Sequence, residues 1–113
     1  MHELAITQSM LDIVLKQAEK AKAKKITKIN LVIGDMTGVV SDSVQFYLEF
    51  MTKGTVAEGA QVFVQKIPSK GQCRTCKAEF EIQPFDLVCP NCQEIGLNII
   101  SGKELFVESI EVD

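Results

Sequence analysis

From Leu4 to Ala23, apolar residues recur every three or four positions. Leu4, Leu11, Leu15 and Ala18 mark one face, widened by Ile6, Met10, Ile13 and Val14. That spacing matches the 3.6-residue turn of an α-helix and predicts one over residues 4–23, with its stripe packed into a core. Lys16, Glu19, Lys20, Lys22 and Lys24 supply polar surface. The lysines crowd the last turns, where the negative end of the helix dipole favours cations. The period then changes. Over residues 26–33, Ile29, Leu31 and Ile33 alternate with Lys28, Asn30 and Val32, which is the two-residue repeat of a strand. Gly34-Asp35 breaks the strand and Gly38 loosens the loop after it. Val44, Leu48 and Met51 share one face of a second helix, which Gly54 stops. Asp42 is placed to cap that helix, with Gln45 in the reciprocal position of a capping box and Ser41 as a rival cap. Residues 60–67 form a second strand, closed by Pro68.

After Ser101-Gly102 a last strand carries Leu105, Phe106, Val107, Ile110 and Val112. Alternation fails around Glu108-Ser109, which predicts a bulge or a strand buried on both sides. An isolated strand leaves a free edge and an apolar side without a partner. It is therefore expected to rejoin the first two strands. The architecture is α/β: two helices covering one face of a three-stranded sheet, built from residues 1–68 and 102–113. Residues 69–101, which hold all the cysteines, become a domain inserted between two strands.

The chain has 113 residues, enough for one domain or a small core carrying a smaller module. Its net charge of -3 argues against a general nucleic-acid binder, which needs a basic face. No apolar run approaches the length of a membrane span. The first residues include Glu3 and lack a basic region ahead of an apolar stretch, so no secretory signal is expected. Reduced cysteines and a cytoplasmic location follow as the expectation. There is no nucleotide-binding loop, no nucleophile paired with a base and only one histidine, so the chain does not read as an enzyme.

The cysteines fall as Cys73-Arg74-Thr75-Cys76 and Cys89-Pro90-Asn91-Cys92, with twelve residues between the pairs. This is the spacing of a four-cysteine zinc ribbon. Each Cys-x-x-Cys turn offers two sulfurs from one side, and the linker need fold back only once. Phe80, Ile82, Phe85 and Leu87 give the module a small apolar patch. Four thiolates fill the coordination shell of Zn2+ and leave no open position for water, so the metal is structural. Its binding would be coupled to local folding, worth on the order of 10 kcal/mol or more. Iron in a rubredoxin-like site and redox-active cysteine pairs compete with this reading. The basic residues nearby are Lys66, Lys70, Arg74 and Lys77, set against Glu79, Glu81, Asp86 and Glu94. No basic and aromatic groove for nucleic acid emerges, and a ribbon serving as a regulatory module or one that binds nucleic acid or protein is the alternative function.

The single histidine is His2, beside the terminal amine. The α-amine of Met1, with a pKa of about 8, gives up its proton when a metal competes. The His2 imidazole is a good ligand for nickel, copper or zinc. The His2 amide nitrogen lies between them and closes a chelate ring on each side when ionised. Three nitrogens in a near-planar array suit Ni2+ or Cu2+ better than tetrahedral zinc. Glu3 can add an oxygen or orient the site. The large His2 side chain is expected to keep Met1 in place. A frayed terminus with a surface histidine is the plain alternative.

Taken together, several stretches resemble the HypA/HybF hydrogenase nickel incorporation proteins. They are Met1-His2-Glu3-Leu4, Thr7-Gln8-Ser9-Met10, the run from Ile33-Gly34-Asp35 to Val39, Phe46-Tyr47-Leu48-Glu49, Thr52-Lys53-Gly54-Thr55, Ala57-Glu58-Gly59-Ala60 and the twin cysteine pairs. The resemblance covers essentially the whole chain. It implies a nickel metallochaperone that binds nickel around His2, with Glu3 at the site or in partner contact. It implies structural zinc on Cys73, Cys76, Cys89 and Cys92. The implied partners are a nickel-handling GTPase and the large subunit of nickel-iron hydrogenase, and some members also support urease maturation. Some relatives carry histidines in or beside the ribbon, whereas this chain has none there. Asp35 and Asp42 are the loop carboxylates that could complete a nickel site.

Overall fold

The structure is a computed structural model and describes residues 3–83 and 87–113. The helices are α1 (Glu3–Lys20) and α2 (Ser41–Met51). The strands are β1 (Ile26–Gly34), β2 (Gln61–Ile67), β3 (Lys70–Cys73), β4 (Glu79–Glu81), β5 (Leu97–Ser101) and β6 (Leu105–Val112). The expected α/β architecture is the one observed: α1 and α2 accompany a three-stranded sheet of order β2-β1-β6. The β1–β2 pair is parallel and the β1–β6 pair antiparallel. Parallel pairing demands a crossover, and α2 supplies it between β1 and β2.

The register explains the core. Ile29 lies opposite Val62 and Ile110, and Leu31 lies opposite Val64 and Val107. These residues join Met10, Leu11, Val14, Val44 and Leu48 in one apolar cluster. The break in alternation is a β-bulge: Asn30 pairs with Ser109 and Leu31 with Val107, which leaves Glu108 unmatched. The extra residue returns both Val107 and Ile110 to the core side.

α1 ends at Lys20, short of the predicted Ala23. Lys22 adopts a left-handed conformation with φ 54°. Its N–H donates to the Glu19 carbonyl at 3.0 Å, and the Ala23 N–H donates to the Ala18 carbonyl at 3.0 Å. This is a Schellman closure with lysine where glycine is usual. A Cβ in that conformation costs about 1–2 kcal/mol, part of which the freedom of an unfolded glycine would offset. Lys22→Gly is therefore expected to stabilise the fold by about 0.5 kcal/mol and raise the melting temperature by roughly 2 °C. A lowered midpoint in a circular-dichroism melt would mean that the lysine charge at the helix end outweighs its strain.

The start of α2 also corrects the sequence reading. Val40, not Asp42, is the N-cap, and no side chain caps the helix. Asp42 sits inside the first turn and Gln45 completes no capping box. The Val40 N–H is taken up from another element, by Glu3 Oε2 at 3.4 Å.

The inserted segment builds a second antiparallel sheet of order β4-β3-β5, whose short strands the sequence did not announce. It leaves and re-enters at neighbouring points, since Ser101 Oγ donates to the Pro68 carbonyl at 2.8 Å. Among the described residues, the principal core cluster takes none from 69–101. Within the insertion, Ile82 and Leu97 approach over Gly71. Leu87 stays exposed, and Phe85 lies outside the described residues. No described helix is long and apolar enough to cross a membrane.

Candidate metal centre

The two cysteine pairs fold into the same turn twice. β3 delivers Cys73, whose N–H donates to the Ala78 carbonyl at 2.9 Å, while the Lys77 N–H returns to the Cys73 carbonyl at 3.0 Å. The second turn repeats this, with the Cys89 N–H on the Glu94 carbonyl at 3.0 Å and the Gln93 N–H on the Cys89 carbonyl at 2.9 Å. In each, the residue after the second cysteine is left-handed, with φ 67° at Lys77 and 68° at Gln93. That reversal lets both sulfurs of a pair point to one side.

The two turns face each other, and all four Sγ atoms lie within 4.8 Å of one another. Cys73 Sγ is 3.5 Å from Cys92 Sγ, and Cys76 Sγ is 3.6 Å from Cys89 Sγ. Cys73 and Cys89 are buried, and the other two are half-buried. Donors converge on the sulfurs: the Cys76 N–H on Cys73 Sγ at 3.5 Å and Asn91 Nδ2 on Cys76 Sγ at 3.5 Å.

These contacts divide the thiols. The Asn91 amide above all, with the Ala78 N–H, draws Cys76 from an ordinary 9.0 down to about 6. The Cys76 N–H chiefly lowers Cys73. At Cys92 the Glu94 N–H is the largest single influence and pulls downward, but desolvation and the three neighbouring cysteines outweigh it and push the thiol up to about 12. Four thiolates cannot crowd into this volume without a cation among them. A divalent metal fits the donor set, since it replaces the proton that Cys92 otherwise keeps. Because that proton must leave, metal capture is favoured as pH rises. Four sulfurs close a tetrahedral shell, so the arrangement can hold a metal and would offer it no open position.

The described candidates among the rest, Glu3, Asp35 and Asp42, gather near the start of α2. Glu3 opens α1, and its carboxylate ties that helix to the loop entering α2 through the Val40 N–H. Met1 and His2 lie outside the described residues. Asp35 and Asp42 line one small cleft of about 160 Å³, together with Val40 and Lys66. Lys66 was not foreseen, because only the pairing of β2 with β1 brings it to the Asp35 loop. Asn91 was missed too; its place inside the second Cys-x-x-Cys turn was the available signal.

The protein-family model described as "Hydrogenase/urease nickel incorporation, metallochaperone, hypA" matches residues 1–112. The hydrogenase maturation factor HypA of Dehalococcoides mccartyi strain 195 is 46% identical over 113 residues, which cover all of this chain and 95% of that protein. Its counterpart in Caldanaerobacter subterraneus subsp. tengcongensis is 44% identical over 114 residues and is covered from end to end. Among solved structures, the solution structure of the Ni metallochaperone HypA from Helicobacter pylori superposes with a TM-score of 0.66 at 24% identity, covering 99% of this chain and 97% of that one. A second solution structure, of HypA protein, gives 0.71 at 23% identity and covers 99% and 96%. At that identity the two structures speak for the fold.

Proposed function

The chain belongs to the family of hydrogenase and urease nickel-incorporation metallochaperones, and from that premise we propose that it carries Ni2+ at its amino terminus and hands it on during maturation of nickel-iron hydrogenase. The observation that carries this reading is the family match from residue 1, which takes in Met1-His2-Glu3. In the proposed site the Met1 amine and the amide and imidazole nitrogens of His2 hold the cargo. Glu3 adds an oxygen or anchors the terminus through its bond to the Val40 N–H. Zn2+ on Cys73, Cys76, Cys89 and Cys92 keeps a separate role, holding the insertion 69–101 as a domain of its own beside residues 1–68 and 102–113. The family is one of maturation factors, not catalysts. Delivery then needs no bond chemistry on a substrate: a partner offers more or stronger ligands, and nickel moves by ligand exchange. The nickel-handling GTPase and the hydrogenase large subunit are the proposed partners, urease maturation proteins are a further client, and the cytoplasm is the proposed compartment.

Nickel titration of the untagged chain beside its His2→Ala variant tests this. The variant is expected to bind nickel more than about 100-fold more weakly, since loss of even an outer-sphere partner costs 10- to 100-fold. Both proteins should keep about one zinc per chain and the same melting curve. Unchanged nickel affinity in the variant would remove the terminal site.

A further inference from the structure

α2 turns Ser41, Val44 and Leu48 into the core. On a 3.6-residue turn, Phe46 and Phe50 fall at the opposite pole, and they are 64% and 67% exposed. Two neighbouring phenylalanines there add nothing to this core, and exposed apolar surface of that kind marks contact with another molecule. Tyr47 meets Phe46 edge-on, with ring centroids 5.8 Å apart. The Lys53 ammonium stands 5.8 Å from the Phe50 centroid, so that ring already attracts a cation. Asp42 and Glu49 are exposed carboxylates flanking the rings on one side. Lys53 is the sole cation between residues 41 and 53. The start of α2 also carries exposed apolar side chains, beside Glu3. Val40 and Leu4 are each 53% exposed, and Val40 bonds Glu3. Phe46 is six residues along the helix from Val40, about 9 Å of axial rise.

We infer that this outer face of α2 is the docking surface for the protein that exchanges nickel with the chain, which meets it through an apolar segment flanked by arginine or lysine. The inference rests on the nickel-carrier reading above. Aromatic rings are the usual anchors of such interfaces. A partner guanidinium can take the place of Lys53 on Phe50 and pair with Asp42 or Glu49. Docking there would bring the partner to the start of α2, where Glu3 is bonded to the Val40 N–H.

The probe is the purified nickel-handling GTPase of hydrogenase maturation, titrated into the full chain. Phe46→Ser/Phe50→Ser changes only side chains outside the core, and its melting curve checks that it folds. It is expected to bind the GTPase at least about 10-fold more weakly, with nickel uptake per chain unchanged. Glu49→Lys should also weaken binding and flatten its salt dependence. No binding of the GTPase by the wild type would overturn the inference, as would equal affinity for the Phe46→Ser/Phe50→Ser variant. So would a wild-type dimer that the double variant makes monomeric while GTPase affinity holds, since the face would then serve a second copy. The two readings separate cleanly: a His2→Ala chain that still docks the GTPase through Phe46 and Phe50 keeps the surface whatever becomes of nickel.

Discussion

Cys89→Ala is expected to abolish metal binding at the proposed zinc site and unfold residues 69–101 while the helix-covered sheet stays folded. Cys89 is almost wholly buried at 1% exposure, so no water-exposed group can take its place. The variant leaves three thiols where the shell needs four donors. Little else holds the insertion together: β3 has four residues, β4 three and β5 five. A sheet that short without a packed face is marginal in water. The metal's contribution, about 10–16 kcal/mol for a structural zinc at pH 7, exceeds anything three short strands provide. The principal core draws no described residue from the segment, so its loss leaves Ile29, Leu31, Val44 and Leu48 packed. Metal analysis should fall from about one zinc per chain to near zero. Hydrogen exchange should show Gly71 and Ile99 unprotected, with β1 still protected. Simultaneous loss of protection in β1 would mean that the two sheets fold as one cooperative unit.

The features legible in the sequence were those set by repeated side-chain burial. The stripe of α1, the alternation of β1 and the stumble at Glu108 each reflect many residues responding to one core. The return of β6 to the first sheet followed from the same logic, because an apolar strand needs a partner. The cysteine cluster was legible for a different reason: metal coordination fixes both residue type and spacing.

The features not legible were settled by backbone geometry or by single contacts between distant residues. The stripe of α1 continues through Ala23, but the left-handed Lys22 closes the helix first. Asp42 fits a cap by type and position, yet Val40 occupies the cap, and its N–H is taken up by Glu3, 37 residues away. Residues 70–73 hold a glycine and a glutamine, too few and too polar to show a period, and backbone pairing alone makes them a strand. Lys77 and Gln93 complete the metal turns in a conformation that glycine would have advertised. The proposed terminal nickel site rests on sequence chemistry, an amine, an amide and an imidazole in a row, and on a family match that begins at residue 1; Met1 and His2 themselves lie outside the described residues.

Gly34→Ala is expected to cost about 3–5 kcal/mol, through space and not through backbone strain. Gly34 has φ -81° and ψ 144°, an extended conformation that alanine adopts freely. A Cβ added there would lie 2.1 Å from the Gly102 oxygen, 2.3 Å from its carbonyl carbon and 2.8 Å from the Glu104 nitrogen. All three are backbone atoms, so no side-chain rotation can relieve the clash. Gly102 is itself confined, with a φ of 112° and Ser69 close enough that a Cβ built on Gly102 would lie 2.9 Å from the Ser69 Cα. The chain must instead pull away where it re-enters the first sheet. That strains the bond from the Gly34 N–H to the Glu104 carbonyl at 2.6 Å and the bond from the Met36 N–H to the Gly102 carbonyl at 2.8 Å. Overpacking costs about 1–3 kcal/mol, and each lost bond adds about 1 kcal/mol. Against a total stability of about 5–15 kcal/mol, a drop in melting temperature of more than about 10 °C follows. Gly54→Ala is the contrasting control: φ is 80° there with nothing within 4 Å of the added Cβ, so only the conformational strain of about 1 kcal/mol applies. A Gly34→Ala melt within about 2 °C of wild type would show that the crossing is looser than its distances require. If the melt falls as expected while the proposed zinc stays bound, the damage lies at this crossing, where β1 passes the exit of the cysteine-bearing insertion, and not at the thiolates.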